Sequence, residues 1–154
     1  MLTRRITSIV AVLAAAVWLG GIVALGAVAA PIVFSRVAWP QNADAMSLVF
    51  HRFDAVAMVC AALVVASEVA RATAGARFTP LDHGRGAASL LAAVAAFVEG
   101  VSVSPRIAAL HAGGAVRGVN AAGLELAHLH GVAETLGKTE VGLLVVVLVL
   151  HVLS

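Results

Sequence analysis

Charged side chains are scarce in this sequence: Asp, Glu, Lys and Arg make up 12% of its 154 residues, against 62% hydrophobic, and mean hydropathy is +1.04. Soluble domains carry about 25% charge, so too few polar groups are present to cover a water-facing surface, and lipid is the expected solvent. Cysteine is nearly absent. Cys60 stands alone, which excludes an intrachain disulfide and leaves the redox compartment unwritten. HExxH, CxxC, CxxCH, a Walker loop and a nucleotide-binding GxGxxG are all missing, which removes zinc-protease, covalent c-type haem and common nucleotide-binding chemistry. The formal net charge is only +2 and the basic residues are scattered singly, so nucleic acid is not a partner.

What the chain does have is four long apolar stretches. A hydrocarbon core about 30 Å thick needs roughly 20 largely apolar residues per helix. That rule predicts spans at about 6–34, 55–70, 86–104 and 120–153, a single all-α domain over 1–154 built as a four-transmembrane-helix bundle. The first stretch follows Arg4 and Arg5 as a signal peptide would. A signal h-region is about 7–15 residues long, however, and this run far exceeds it, so it reads as a retained helix. Pro31, Trp39 and Pro40 mark its end, and Trp39 suits the interface. Residues 42–54 read as an interfacial turn with Asn42 or Asp44 as a cap, and Asn120 as the N-cap of the last helix. That helix is long, near 50 Å at about 1.5 Å per residue, so its first turns project from the membrane.

Arg4, Arg5, Arg71, Arg77 and Arg85 stand nearly level in number against Arg36, Arg52, Arg106, Arg117 and Lys138 at a helix mouth. Because Arg4 and Arg5 directly precede the first helix, both termini are expected in the cytoplasm of a cell whose inner membrane holds the protein. Small residues supply close helix contact in lipid, where hydrophobic drive between helices is weak. Ala16, Gly20 and Ala24 form one small ridge and Gly26 with Ala30 a second, as in plain bundle packing or in docking on another chain.

The polar residues are unevenly placed. Four of six histidines and six of eight acids fall at the end opposite the termini: His51, His111, His128 and His130 with Asp44, Asp54, Glu99, Glu125, Glu134 and Glu140. Ionisable groups are costly in lipid and usually face an interior, so this half is where a site is expected. His130, Glu134 and Lys138 recur every four residues and are expected to share an inward face; a plain Glu134–Lys138 ion pair along the helix is the simpler reading. His51 and Asp54 share a helical face, and His51, Asp54, His130 and Glu134 form a candidate transition-metal set. His51, His111 and His130 are candidate axial ligands for a b-type haem. Glu99, Glu134 and Lys138 make a buried polar or proton path, with Glu99 expected to pair with Lys138 because both lie near the same end of their helices.

LGGIVALGAVAAPIVF, VFHRFD, SVSPRIAAL and LHGVAETLG together resemble a family of small four-helix membrane proteins catalogued as a domain of unknown function. A eukaryotic transmembrane protein linked to platinum-drug resistance is similar. The resemblance spans nearly the whole chain, rests on small residues with Pro31, Phe34, Pro105 and the Leu129–His130 pair, and implies no catalytic residues. The layout is more distantly similar to a copper-resistance membrane family and to a b-haem porphyrinogen oxidase family, which implies metal or haem binding by analogy. Two functions are therefore expected. One is a haem- or metal-binding membrane protein with its site in the non-cytoplasmic half; the other is an accessory subunit that self-associates or docks on a larger membrane complex. A transporter is weaker, since no inverted repeat is visible.

Overall fold

Four helices long and apolar enough to cross a membrane make up the computed structural model, which describes residues 2–74 and 79–153. The first span joins α1 (Leu2–Val23) to α2 (Ala30–Arg36) through a π-helical stretch at Ala24–Ala29. The second is α3 (Gln41–Thr73). The third joins α4 (Pro80–Val98) to α5 (Ser104–Ala112) through a π-helical turn at Glu99–Val103, and the fourth is α6 (Asn120–Leu153). No strand occurs among the described residues, and the chain is the all-α bundle its composition predicts. Arg77 and the side chain of Arg4, both used in the orientation argument, lie outside the described residues.

Two spans begin earlier than their apolar runs. α3 starts at Gln41 rather than at 55, and residues 42–54 are helix, not an interfacial turn. Neither Asn42 nor Asp44 caps it, because Pro40 occupies that position with no side-chain bond. α4 starts at Pro80 rather than at 86. Thr79 Oγ1 accepts from the Asp82 amide at 3.3 Å while the Asp82 carboxylate accepts from the Thr79 amide at 3.0 Å, and Pro80 opens the first turn. In both places the added turns carry charged residues, which lower hydropathy without ending a helix. Asn120 does cap α6, through Oδ1 to the Gly123 amide at 3.2 Å.

The spans pack in a ring: α1 lies against α3 and α6, and α4 also lies against α3 and α6. Ala11, Ala14, Ala15, Ala57, Ala61, Ala88, Ala92, Ala95 and Ala96 line its interior, so backbones approach closely where lipid offers little hydrophobic drive. Trp18, Val64, Leu144 and Val147 fill what remains. A second apolar layer, Val103, Ile107, Leu110 and Leu126, lies toward the end away from the termini. Large apolar side chains such as Leu13, Val17, Leu91, Phe97 and Val149 point outward, as a lipid-facing surface requires. Ala16, Gly20 and Ala24 are exposed, and a Cβ on Gly20 would meet nothing within 4 Å. This ridge is therefore spare within one chain.

Candidate functional site

Between the two apolar layers, three carboxyls from three spans converge. Glu140 of α6 is 3% exposed, and its Oε2 accepts a 2.9 Å hydrogen bond from the indole N–H of Trp18 on α1. Glu99 of the third span faces Glu140 closely enough for the two carboxyls to act on one another, and Asp54 of α3 acts electrostatically on both. Ser104 lies within reach of the Asp54 carboxyl, and His51 stands one helical turn before it. Glu140 Oε1 and Asp54 Oδ2 are buried with no donor. Two carboxylates cannot share a hydrogen bond without a proton between them, because like charges in a medium of low dielectric repel strongly. A proton held among the three acids relieves that repulsion.

Local backbone shapes this cluster. The π-helical turn begins at Glu99, and such turns are rare, widened and frequent at functional sites. α3 lies against Gly100, where a Cβ would stand in ordinary contact, 3.5 Å from Asp54 Cβ and 3.4 Å from Met58 Sδ. Gly21 on α1 is the position that needs glycine, because a Cβ there would overlap the Phe53 ring beside Asp54. The charged groups that are exposed nearby fix the level of the cluster. Arg106 pairs with Glu125 at 2.6 Å and Lys138 with Glu134 at 2.6 Å, all four side chains being 42–75% exposed, which hydrocarbon does not permit. Glu140 lies two residues further along α6 than Lys138, about 3 Å, so the carboxyls sit just inside the lipid boundary at the loop end.

A second polar group ties the spans at the termini end. Arg85 of α4 grips Glu68 of α3 through Nε at 2.8 Å and a second nitrogen at 3.1 Å, and reaches Asp82 at 2.8 Å. Arg71 of α3 bonds Ser8 of α1 at 2.6 Å and lies 3.5 Å from Asp82. His151 of α6 bonds the Val147 carbonyl at 2.9 Å and approaches Glu68 to 3.5 Å. Two arginines face two carboxylates, so this group is balanced where the carboxyl cluster is not.

The expected residues distribute unevenly over this geometry. Asp54 and Glu99 belong to the cluster, whereas Glu134 and Lys138 form an ion pair along the outside of α6. The expected Glu99–Lys138 pair is thus overturned, as is the inward face for His130, Glu134 and Lys138: each step of four residues turns about 40° around the helix, and two steps carry the stripe out of the interior. Glu99 meets Glu140 instead. His111 and His130 do come together, with ring centroids 5.8 Å apart in an edge-to-face arrangement. His51 is exposed, and among the described residues no group of three or more His, Cys, Asp or Glu is arranged to hold a metal ion. Glu140 and Trp18 were not singled out by sequence; the signal that could have found Glu140 is its place fourteen residues after Leu126 and seven before Val147, on the buried line of α6.

Residues 13–116 match a family model described as Domain of unknown function (DUF4149). No curated protein and no solved structure gives a significant match.

Proposed function

We propose, for a chain that belongs to the DUF4149 family of unknown function, that it is a multi-pass membrane protein which binds and releases protons at the Asp54–Glu99–Glu140 cluster. The observation that carries this reading is the gathering of the Glu99 and Glu140 carboxyls beside a third acid, Asp54, while Arg106 and Lys138 pair with Glu125 and Glu134. A cluster of this kind, with Glu140 97% buried by its 3% exposure and its Oε1 without a donor, favours proton exchange over a fixed structural role. Infrared spectra of the protein in nanodiscs test it. A protonated-carboxyl band should change between pH 5 and pH 9 and be lost in Glu99→Gln and Glu140→Gln. A band that stays constant over that range in the native protein removes the reading. We place the termini in the cytoplasm and the cluster toward the opposite face of an inner membrane, by the arginine distribution.

A second reading, a haem- or metal-binding centre, draws on the His111–His130 contact. Two imidazoles suit haem iron or a transition metal with further positions left to other ligands. A Soret band or stoichiometric metal in the purified protein, lost in His130→Ala, supports it; neither signal removes it. Docking on a larger complex or on a second copy through the outward Ala16, Gly20 and Ala24 ridge is compatible with both.

A further inference from the structure

We infer that the carboxyl cluster exchanges protons with one side of the membrane only, the side of the 37–40 and 113–119 loops, along a path His51, Asp54, Glu99, Glu140. This rests on the proton-binding reading above and adds its direction.

Burial rises step by step along that path. His51 is exposed, Asp54 and Glu99 are intermediate, Glu140 is 3% exposed, and Trp18 at its end is fully buried. The steps are also short: His51 stands one helical turn before Asp54, a Cβ on Gly100, the residue after Glu99, would lie 3.5 Å from Asp54 Cβ, and Glu99 faces Glu140. Glu140 Oε1, in a side chain more than nine-tenths buried, has no hydrogen-bond partner among the described residues and is open to a proton or a water. The Trp18 N–H fills the other oxygen and holds the carboxyl in place.

Toward the termini no such steps exist. The next inward polar side chain after Trp18 on α1 is Ser8, after Glu140 on α6 is His151, and before Glu99 on α4 is Ser89, ten or eleven residues away in each case. On α3 the next after Asp54 is Ser67, thirteen residues on. At about 1.5 Å per residue these gaps are at least about 15 Å long. They are filled by Ala14, Ala15, Ala61, Val64, Ala92, Ala96, Leu144 and Val147, with the Cys60 thiol among them. Proton transfer needs donor and acceptor within hydrogen-bond reach or one water apart, and a packed apolar layer of that depth provides neither. Beyond it stands a network whose two arginines and two carboxylates already satisfy one another.

The protein carries its own reporter for a test. Only two tryptophans occur, Trp18 on Glu140 and the exposed Trp39, so Trp39→Phe leaves the indole at the inner end of the path as the sole emitter. That variant is placed in sealed vesicles, with orientation scored by an impermeant thiol reagent on Ala112→Cys at the loop end. The pH is then stepped on one side at a time. A loop-side step should change Trp18 emission within the mixing time, a termini-side step should leave it unchanged until the gradient leaks, and Asp54→Asn should slow the loop-side response at least about tenfold, the usual contribution of a positioned proton carrier being larger still. A response to the termini-side step, or equal responses to both, overturns the one-sided path while leaving the proton site standing. No response to either step, in protein whose Glu99→Gln form has the same emission as the parent, overturns the proton site as well.

Discussion

The indole of Trp18 and the carboxyl of Glu140, 122 positions apart in the chain, are joined by a 2.9 Å hydrogen bond inside the bundle. It links α1 to α6 at the level where three acids meet. Trp18→Phe keeps most of the ring's packing and removes only the donor. A loss of about 1–2 kcal/mol in stability is expected, since buried polar bonds in membranes are worth little more than this. Unfolding in mild detergent measures it, and a loss as large as that of Trp18→Ala would mean that packing, not the bond, is what matters.

Glu99→Gln should be tolerated or should stabilise. An amide donates to Glu140 without needing a proton, and one of three neighbouring acids becomes neutral. Glu99→Lys introduces a buried cation and changes the charge of the whole layer, so the two variants separate loss of acid from gain of base. A melting temperature for Glu99→Gln well below the parent would contradict the crowded-acid picture. Combined with Lys138→Ala, its effect should simply add, because Lys138 is engaged with Glu134 on the outside.

Arg85→Ala should be the most damaging polar truncation. Its side chain is 1% exposed and holds both Glu68 and Asp82, so its removal takes the main cation from two buried carboxylates, leaving Asp82 to Arg71 and Glu68 to His151, at a cost of about 3 kcal/mol. Arg106→Ala, which opens an exposed pair with Glu125, should leave stability unchanged within error. Equal effects in thermal melts would overturn the distinction between the two ends.

Neighbouring glycines on α1 should behave oppositely. Gly21→Ala meets the Phe53 ring and should cost about 1–3 kcal/mol through overpacking. Gly20→Ile meets nothing within 4 Å and should leave the fold of a single chain intact. A smaller assembly for Gly20→Ile on size exclusion in mild detergent would identify the outward ridge as a contact with another chain.

Hydropathy made the four spans legible because lipid demands apolar length, and it lost the starts of α3 and α4 for the same reason. Asp44, His51 and Arg52 interrupt the apolar run without interrupting the helix. The polar asymmetry pointed to the loop end, where Asp54 and Glu99 lie with Glu140. Glu140 was hidden by a choice of period. Steps of four residues, as in His130, Glu134 and Lys138, drift about 40° each around a helix, while seven residues return to within about 20°. The line through Leu126, Ala133, Glu140 and Val147 therefore stays inside. Trp18 could not be read at all, because the partner that gives it a role is a distant acid. The termini-end network was equally silent, since its members come from four spans whose order around the ring is not written locally.

The tie at the termini end makes the bundle a lever. Ser8, Arg71, Glu68, Asp82, Arg85 and His151 clamp all four spans to one another at that end. At the other end the spans lean on apolar contacts around a set of acids whose mutual repulsion depends on how many protons they hold. An arm of 34 residues is about 50 Å long, so a tilt of roughly 5° at the fulcrum opens the far end by about 4 Å. Protons gained or lost at three carboxyls would then be read out as splaying of the loop end, with the clamped end standing still.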